Sequence, residues 1–170
     1  MVSVPQDTDR LQLRQAQVED APFMLKLLTE PAWRKFISQH EVKCEASALR
    51  YMEERIFPPY REALGFWVVV FRDTQQPIGI CGLVKRPYLE KHDLGFAFLE
   101  EVWGTRVAKE AAVSCLSYAS ESLGLAEIWA ITVEENIQSI GLLKKLGFRF
   151  LKHTVNPDEE TLEVYSRILG

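Results

Sequence analysis

Apolar and polar positions change their period several times along this chain, and each change marks an element. Leu11-Gln12-Leu13-Arg14 alternates, which predicts a first strand. Glu19-Asp20 then open a helix, with acids in its first turn where the helix dipole favours them. Phe23, Met24, Leu27 and Leu28 give that helix one apolar face, Pro31 is read as its end, and 33–43 as irregular. A second helix is expected over 45–57, stopped by Pro58-Pro59. The apolar runs 66–71 and 78–84 predict a hairpin around a turn at 73–77, and after a polar connection at 87–92 a fourth strand covers 93–99. Val107, Ala108, Ala111, Ala112, Cys115, Leu116, Ala119 and Leu123 then recur at helical spacing, with Gly124 as the cap. A strand at 127–133 is followed by a helix capped by Asn136, with Ile140, Leu142, Leu143 and Leu146 inward and Gly147 closing it. Strands at 148–154 and 161–169 flank the turn Asn156-Pro157-Asp158. In the last of them Val164, Tyr165 and Ile168 are either core or a dimer edge. Hairpins mixed with one crossover region make a mixed α/β sheet with helices on its faces.

Composition narrows the class. The 170 residues suit one domain, 1–170, large enough to bury a core. A net charge of −4 speaks against a nucleic-acid partner and is a weak pointer to a basic peptide or polyamine. No apolar run approaches the roughly 20 residues of a membrane span, and the polar start, 1–10, does not resemble a signal peptide. Cys44, Cys81 and Cys115 form no CxxC pair and sit in apolar patterns, so they are read as buried reduced thiols of a cytoplasmic protein rather than nucleophiles. A monomer and a homodimer both fit.

The most informative stretch runs from Val102 to Ala112, between the fourth strand and the long helix. A strand, a short turn with Gly104 and a helix start point unpaired backbone N–H groups, and the positive end of a dipole, at one spot. That geometry suits a pyrophosphate. Forty residues on, Asn136-Ile137-Gln138-Ser139 leads to Lys145-Leu146-Gly147-Phe148.

With Thr8-Asp9-Arg10-Leu11-Gln12-Leu13-Arg14 and Glu19-Asp20 at the start, Asp93-Leu94-Gly95-Phe96 with Trp103-Gly104, Ala108-Lys109-Glu110-Ala111, and the Asn136 segment, the chain resembles a GCN5-related N-acetyltransferase (GNAT) across nearly its whole length. Within that superfamily it is most similar to the branch named for ribosomal-protein alanine N-acetyltransferases. The resemblance implies a mixed, mostly antiparallel sheet of about seven strands with about four helices and a notch between strands 4 and 5. It implies acetyl-CoA as co-substrate, no metal, and direct transfer to a primary amine on a protein N-terminus or a small molecule. Phe98 and Leu99 would contact the pantetheine. Trp103 belongs to the pyrophosphate loop, where Gly104, Thr105, Arg106, Val107 and Ala108 would present N–H groups, and Asn136 and Ser139 would lie near the thiol.

Two departures stand out. The central glycine of the family's loop is Arg106, which either pairs with a phosphate or crowds it. Leu143 stands where many members carry a tyrosine that protonates the leaving thiolate. Ser139 is then the best remaining donor, or simply a tolerated residue at the third position of a helix. Asp93 matches a place where the branch tends to carry an acid, so it is a candidate base or an exposed strand-edge acid. Glu100 and Glu101 are alternative bases or solvated loop residues. His92 is read as solvent-exposed, His40 and His153 have no nameable partner, and Trp33, Phe36 and Tyr60 fall in segments that form the acceptor wall in this family or pack the core. The competing functional reading is a catalytically degenerate acyl-CoA-binding or regulatory domain of the same fold. A third is a small α/β interaction module without a ligand.

Overall fold

The structure is a computed structural model that describes residues 3–36 and 42–170, without the side chains of residues 34–36. Seven strands form one sheet: β1 (Leu11–Arg14), β2 (Gly65–Phe71), β3 (Pro77–Val84), β4 (Asp93–Phe98), β5 (Glu127–Thr132), β6 (Arg149–Val155) and β7 (Thr161–Ile168), in the order β1-β2-β3-β4-β5-β7-β6. Every neighbouring pair is antiparallel except β4 and β5, which run parallel. That pair has one point of register, Asp93 opposite Trp129, supported by the Trp129 N–H donating to His92 O at 2.9 Å. Beyond it the strands part, and the sheet opens into the expected notch.

β2 and β3 are nearly continuously apolar because helices cover both of their faces. On one face Val68, Val70 and Ile80 pack with Met24, Leu27 and Leu28 of α1 (Ala21–Leu28) and Ala48 of α3 (Glu45–Tyr51). On the other, Trp67, Val69, Ile78, Cys81 and Leu83 meet Ala111, Ala112, Cys115 and Ala119 of α4 (Val107–Glu121). α5 (Ile137–Lys145) seals the far half of the sheet with Leu143, while Leu146 and Phe148 follow it into the core. The hairpin tolerates no side chain at Gly82, where a Cβ would lie 1.9 Å from Gly65 O.

Several expectations needed correction. Pro31 does not only end α1: it opens a fifth helix, α2 (Pro31–Phe36), because a first-turn proline lacks only an N–H that has no helical acceptor. The α-helical part of the second expected helix closes at Tyr51 and widens into a π-turn, Met52–Ile56, where the Phe57 N–H reaches Met52 O at 2.9 Å. Pro58-Pro59 then begin a 3₁₀ turn, Pro58–Glu62, instead of stopping the coil. Cys44 is exposed, since it caps the start of α3, and the Ser47 hydroxyl lowers its thiol pKa. Cys81 and Cys115 are buried with their sulfurs 3.6 Å apart. Val164 and Tyr165 are core, whereas Ile168 is exposed.

Candidate active site

A cleft of about 1850 Å³ runs along the notch, about twice the upper size usual for a pocket holding one small ligand. It has room for a donor and an acceptor side by side. Asp93, Phe98, Trp103, Gly104, Arg106, Val107, Ala108, Asn136 and Ser139 all line it.

One end is built from backbone. After β4 the chain makes a 3₁₀ turn, Glu100–Val102, then bends at Gly104 (φ +79°) and Arg106 (φ +67°) into α4. Arg106 is the N-cap residue of α4 in the left-handed region, where glycine is favoured and an L-residue is strained by about 1–2 kcal/mol. Among the described residues the N–H groups of Val107, Ala108 and Lys109 have no acceptor, and Arg106 and Lys109 flank them on the cleft. That is the donor set an anion needs. The N-terminal segment braces the loop. Glu110 accepts from the Thr8 hydroxyl and from Arg10 N–H (3.1 Å) and Nε (2.9 Å), while Arg10 Nη2 donates to Thr105 O at 3.1 Å. Burial would raise the Glu110 pKa, but those hydrogen bonds hold it below its ordinary value. The Trp103 indole N–H donates to Phe98 O at 3.0 Å, fixing the turn against the strand.

In the middle of the cleft, Asn136 Oδ1 accepts the Ser139 N–H at 3.2 Å, so Ser139 occupies the first turn of α5 and still faces the cleft. Leu143 is buried.

The other end is built from side chains. Asp93 is not an exposed strand-edge acid: it is 1% exposed, with Arg86 Nε donating to its two oxygens at 3.1 and 3.3 Å. Burial pushes the Asp93 carboxyl up to about 6, outweighing the opposite pull of Arg86. Trp33, Arg55, Tyr88 and Asp158 line the same cleft, with the π-turn presenting Glu54 and Arg55. Arg86, Tyr88 and the 156–158 turn also line the cleft and were not among the sequence candidates, because 87–92 reads locally as a polar connection and 156–158 as a turn.

Other candidates lie elsewhere. Leu99 is core, its N–H bonded to Ile78 O, and Thr105 is exposed with its hydroxyl on Val102 O. Glu100 is exposed with its N–H on the Glu30 carboxylate at 3.0 Å, and Glu101 pairs with Lys26 at 2.8 Å; neither lines the cleft. His92 is half-buried, which lowers its pKa. Tyr60 is a strut: its hydroxyl accepts from Ala16 N–H and donates to Phe66 O, and burial pushes it up to about 12. His153 is exposed, 3.9 Å from Glu163. His40 and the Phe36 side chain lie outside the described residues. Among the described residues no group of three His, Cys, Asp or Glu is placed to hold a metal, and no helix is long and apolar enough to cross a membrane.

A family model described as an acetyltransferase (GNAT) domain matches residues 10–149. The chain belongs to the GNAT family. By that membership it is an acetyl-CoA-dependent acyltransferase. The GNAT chain is 29% identical over 147 residues to YoaA, an uncharacterized N-acetyltransferase of Bacillus subtilis, covering 84% of this chain and 81% of that one. Its fold matches an acetyltransferase from Agrobacterium tumefaciens with a TM-score of 0.82 at 22% identity, over 96% of this chain and 94% of that one. It also matches RimL, a ribosomal α-N-protein acetyltransferase in complex with coenzyme A, with a TM-score of 0.80 at 14% identity, over 96% and 97% of the two chains.

Proposed function

We propose that this GNAT protein acetylates a primary amine by direct attack on the thioester of acetyl-CoA, with Asp93 as base and Ser139 as donor to the departing thiolate. Acetyl-CoA, when bound, supplies an activated acyl group and a thiolate leaving group. The backbone N–H groups of Val107, Ala108 and Lys109 would hold the pyrophosphate, with Arg106 and Lys109 adding charge. The coenzyme A complex of RimL supports this use of the fold.

The observation that carries the reading is the buried Asp93 carboxyl in a cleft that also ends in an anion-holding turn. An amine must lose its proton to attack, and a carboxyl titrating near 6 accepts that proton, directly or through one water, while remaining mostly ionised at neutral pH. Ser139 holds a hydroxyl proton on the same cleft for the sulfur that leaves. No residue of the set forms a covalent link to the acyl group.

The buried Leu143 in place of a tyrosine, and the strained Arg106, favour the second reading of a domain that binds acyl-CoA without turnover. Calorimetric titration with acetyl-CoA and with CoA, followed by CoA release over a panel of amines, separates the two. Micromolar binding with amine-dependent release is the expected result. Binding without release supports the regulatory domain, and no binding up to millimolar ligand overturns both.

A further inference from the structure

Resting on the acetyltransferase reading, we propose that the acceptor is an amine carrying a carboxylate close to its nitrogen, as in a free α-amino acid, with Asp93 receiving the amine and Arg86 the carboxylate. The acceptor end of the cleft holds opposite charges side by side. Arg86 Nε lies 3.1 Å from Asp93, on a base that is 1% exposed. Both residues line the cleft. Among the described residues the hydrogen bonds that tie Arg86 to Asp93 run through Nε. The two terminal nitrogens, the fork that matches a carboxylate, make no hydrogen bond to Asp93, and the Arg86 side chain stays 35% exposed on the cleft wall beside the Tyr88 phenol. The Tyr88 and Tyr51 phenols lie within electrostatic reach of that guanidinium. Arg55 adds a second cation on the cleft wall, whereas Lys85 turns its ammonium to the carbonyls of Arg86 and Leu89.

A zwitterion in which one carbon separates ammonium from carboxylate presents the same two charges in the opposite order. Laid against the pair, its amine meets Asp93 and its carboxylate meets Arg86. A polyamine would bring a second ammonium against the guanidinium, which like charges disfavour. An amide or an internal peptide nitrogen would leave the fork unpaired, a loss of about 10- to 100-fold for a charged hydrogen bond. The net charge of the chain, which points to basic acceptors, does not describe this end of the cleft.

The test compares kcat/KM for free α-amino acids, their α-amides, their decarboxylated amines, unblocked peptides and spermidine. CoA and acetylated product are read by chromatography, because the exposed Cys44 thiol would react with a colorimetric thiol reagent. The expected result is an acid-over-amide preference of about 10- to 100-fold that Arg86→Lys reduces to nearly none, mostly through KM. Arg86→Lys keeps a cation on Asp93, so its melting temperature should stay near that of the parent chain. Equal or better turnover of amides, peptides or spermidine, or a preference untouched in Arg86→Lys, overturns the proposal and leaves the acetyltransferase reading in place. Absence of turnover with every acid-bearing amine also overturns it. If acetyl-CoA then fails to bind by calorimetry, the acetyltransferase reading falls as well.

Discussion

At the donor end of the cleft, strand β4, the Gly104 turn and the first turn of α4 follow one another in the chain. Around Asp93, the Arg86 and Tyr88 side chains come from the β3–β4 connection, while Arg55 and Asp158 reach the same cleft from distant segments. The donor end works through main-chain N–H groups and a helix dipole, which any sequence of the right local shape can supply. The acceptor end works through particular side chains in a low-exposure setting, where one substitution changes the chemistry. On the proposed reading, a shared co-substrate would load the backbone-built end and a chain-specific acceptor the end built from side chains.

Substitutions at the two ends should separate accordingly. Asp93→Asn should have the largest effect, lowering amine-dependent CoA release by about 100-fold or more while acetyl-CoA affinity by calorimetry stays within about twofold. An equal loss of binding would show that the two ends are not independent.

The pH profile sharpens the same point. Asp93 titrates near 6 in the fold and near about 3.9 in an unfolded chain, so the folded state binds the extra proton between those values. Its contribution to stability is full below about pH 4 and is lost as pH rises through about 6. With Asp93 as the proposed base, activity runs the other way, because that carboxyl must be ionised to take the proton. We expect kcat/KM to rise with pH through about 6, and Asp93→Asn to remove both dependences, read in melting curves and initial rates.

Ser139→Ala should lower kcat by about 10-fold or somewhat more, with a smaller change in acetyl-CoA affinity. A fall in binding alone would reject its role at the thiolate. Arg106→Gly should have a smaller, two-sided effect. Releasing the left-handed strain should stabilise the chain by about 1 kcal/mol in denaturant melts. Loss of the guanidinium should weaken acetyl-CoA binding several-fold, and an unchanged dissociation constant would detach Arg106 from the phosphate. Glu100→Gln, which changes a side chain away from the cleft, should leave rates and affinity within about twofold.

How much of this was legible in the sequence follows the same division. The order of the seven strands, the fourth-strand-to-helix turn and the cap at Asn136 were all readable, because each rests on periodicity or on residues a few positions apart. The π-turn at Met52–Ile56 and the helix opened by Pro31 were not, since both depend on how the chain accommodates prolines within a packed layer. Leu99 was expected at the pantetheine, but it follows β4, bonds its N–H to Ile78 O and packs its side chain into the core beneath α1 and α3.

Periodicity along the chain was enough for the strands and the long helices, and the motifs at Asp93, Trp103 and Asn136 carried the resemblance to the GNAT family and, through it, the notch. Which of the acids is buried depended on packing between distant parts of the chain. Asp93 and Glu100 look alike in sequence, and the fold buries one beneath Arg86 at the neck of the notch while leaving the other in solvent. Burial is a long-range property, and it is what lifts the Asp93 carboxyl above its ordinary range.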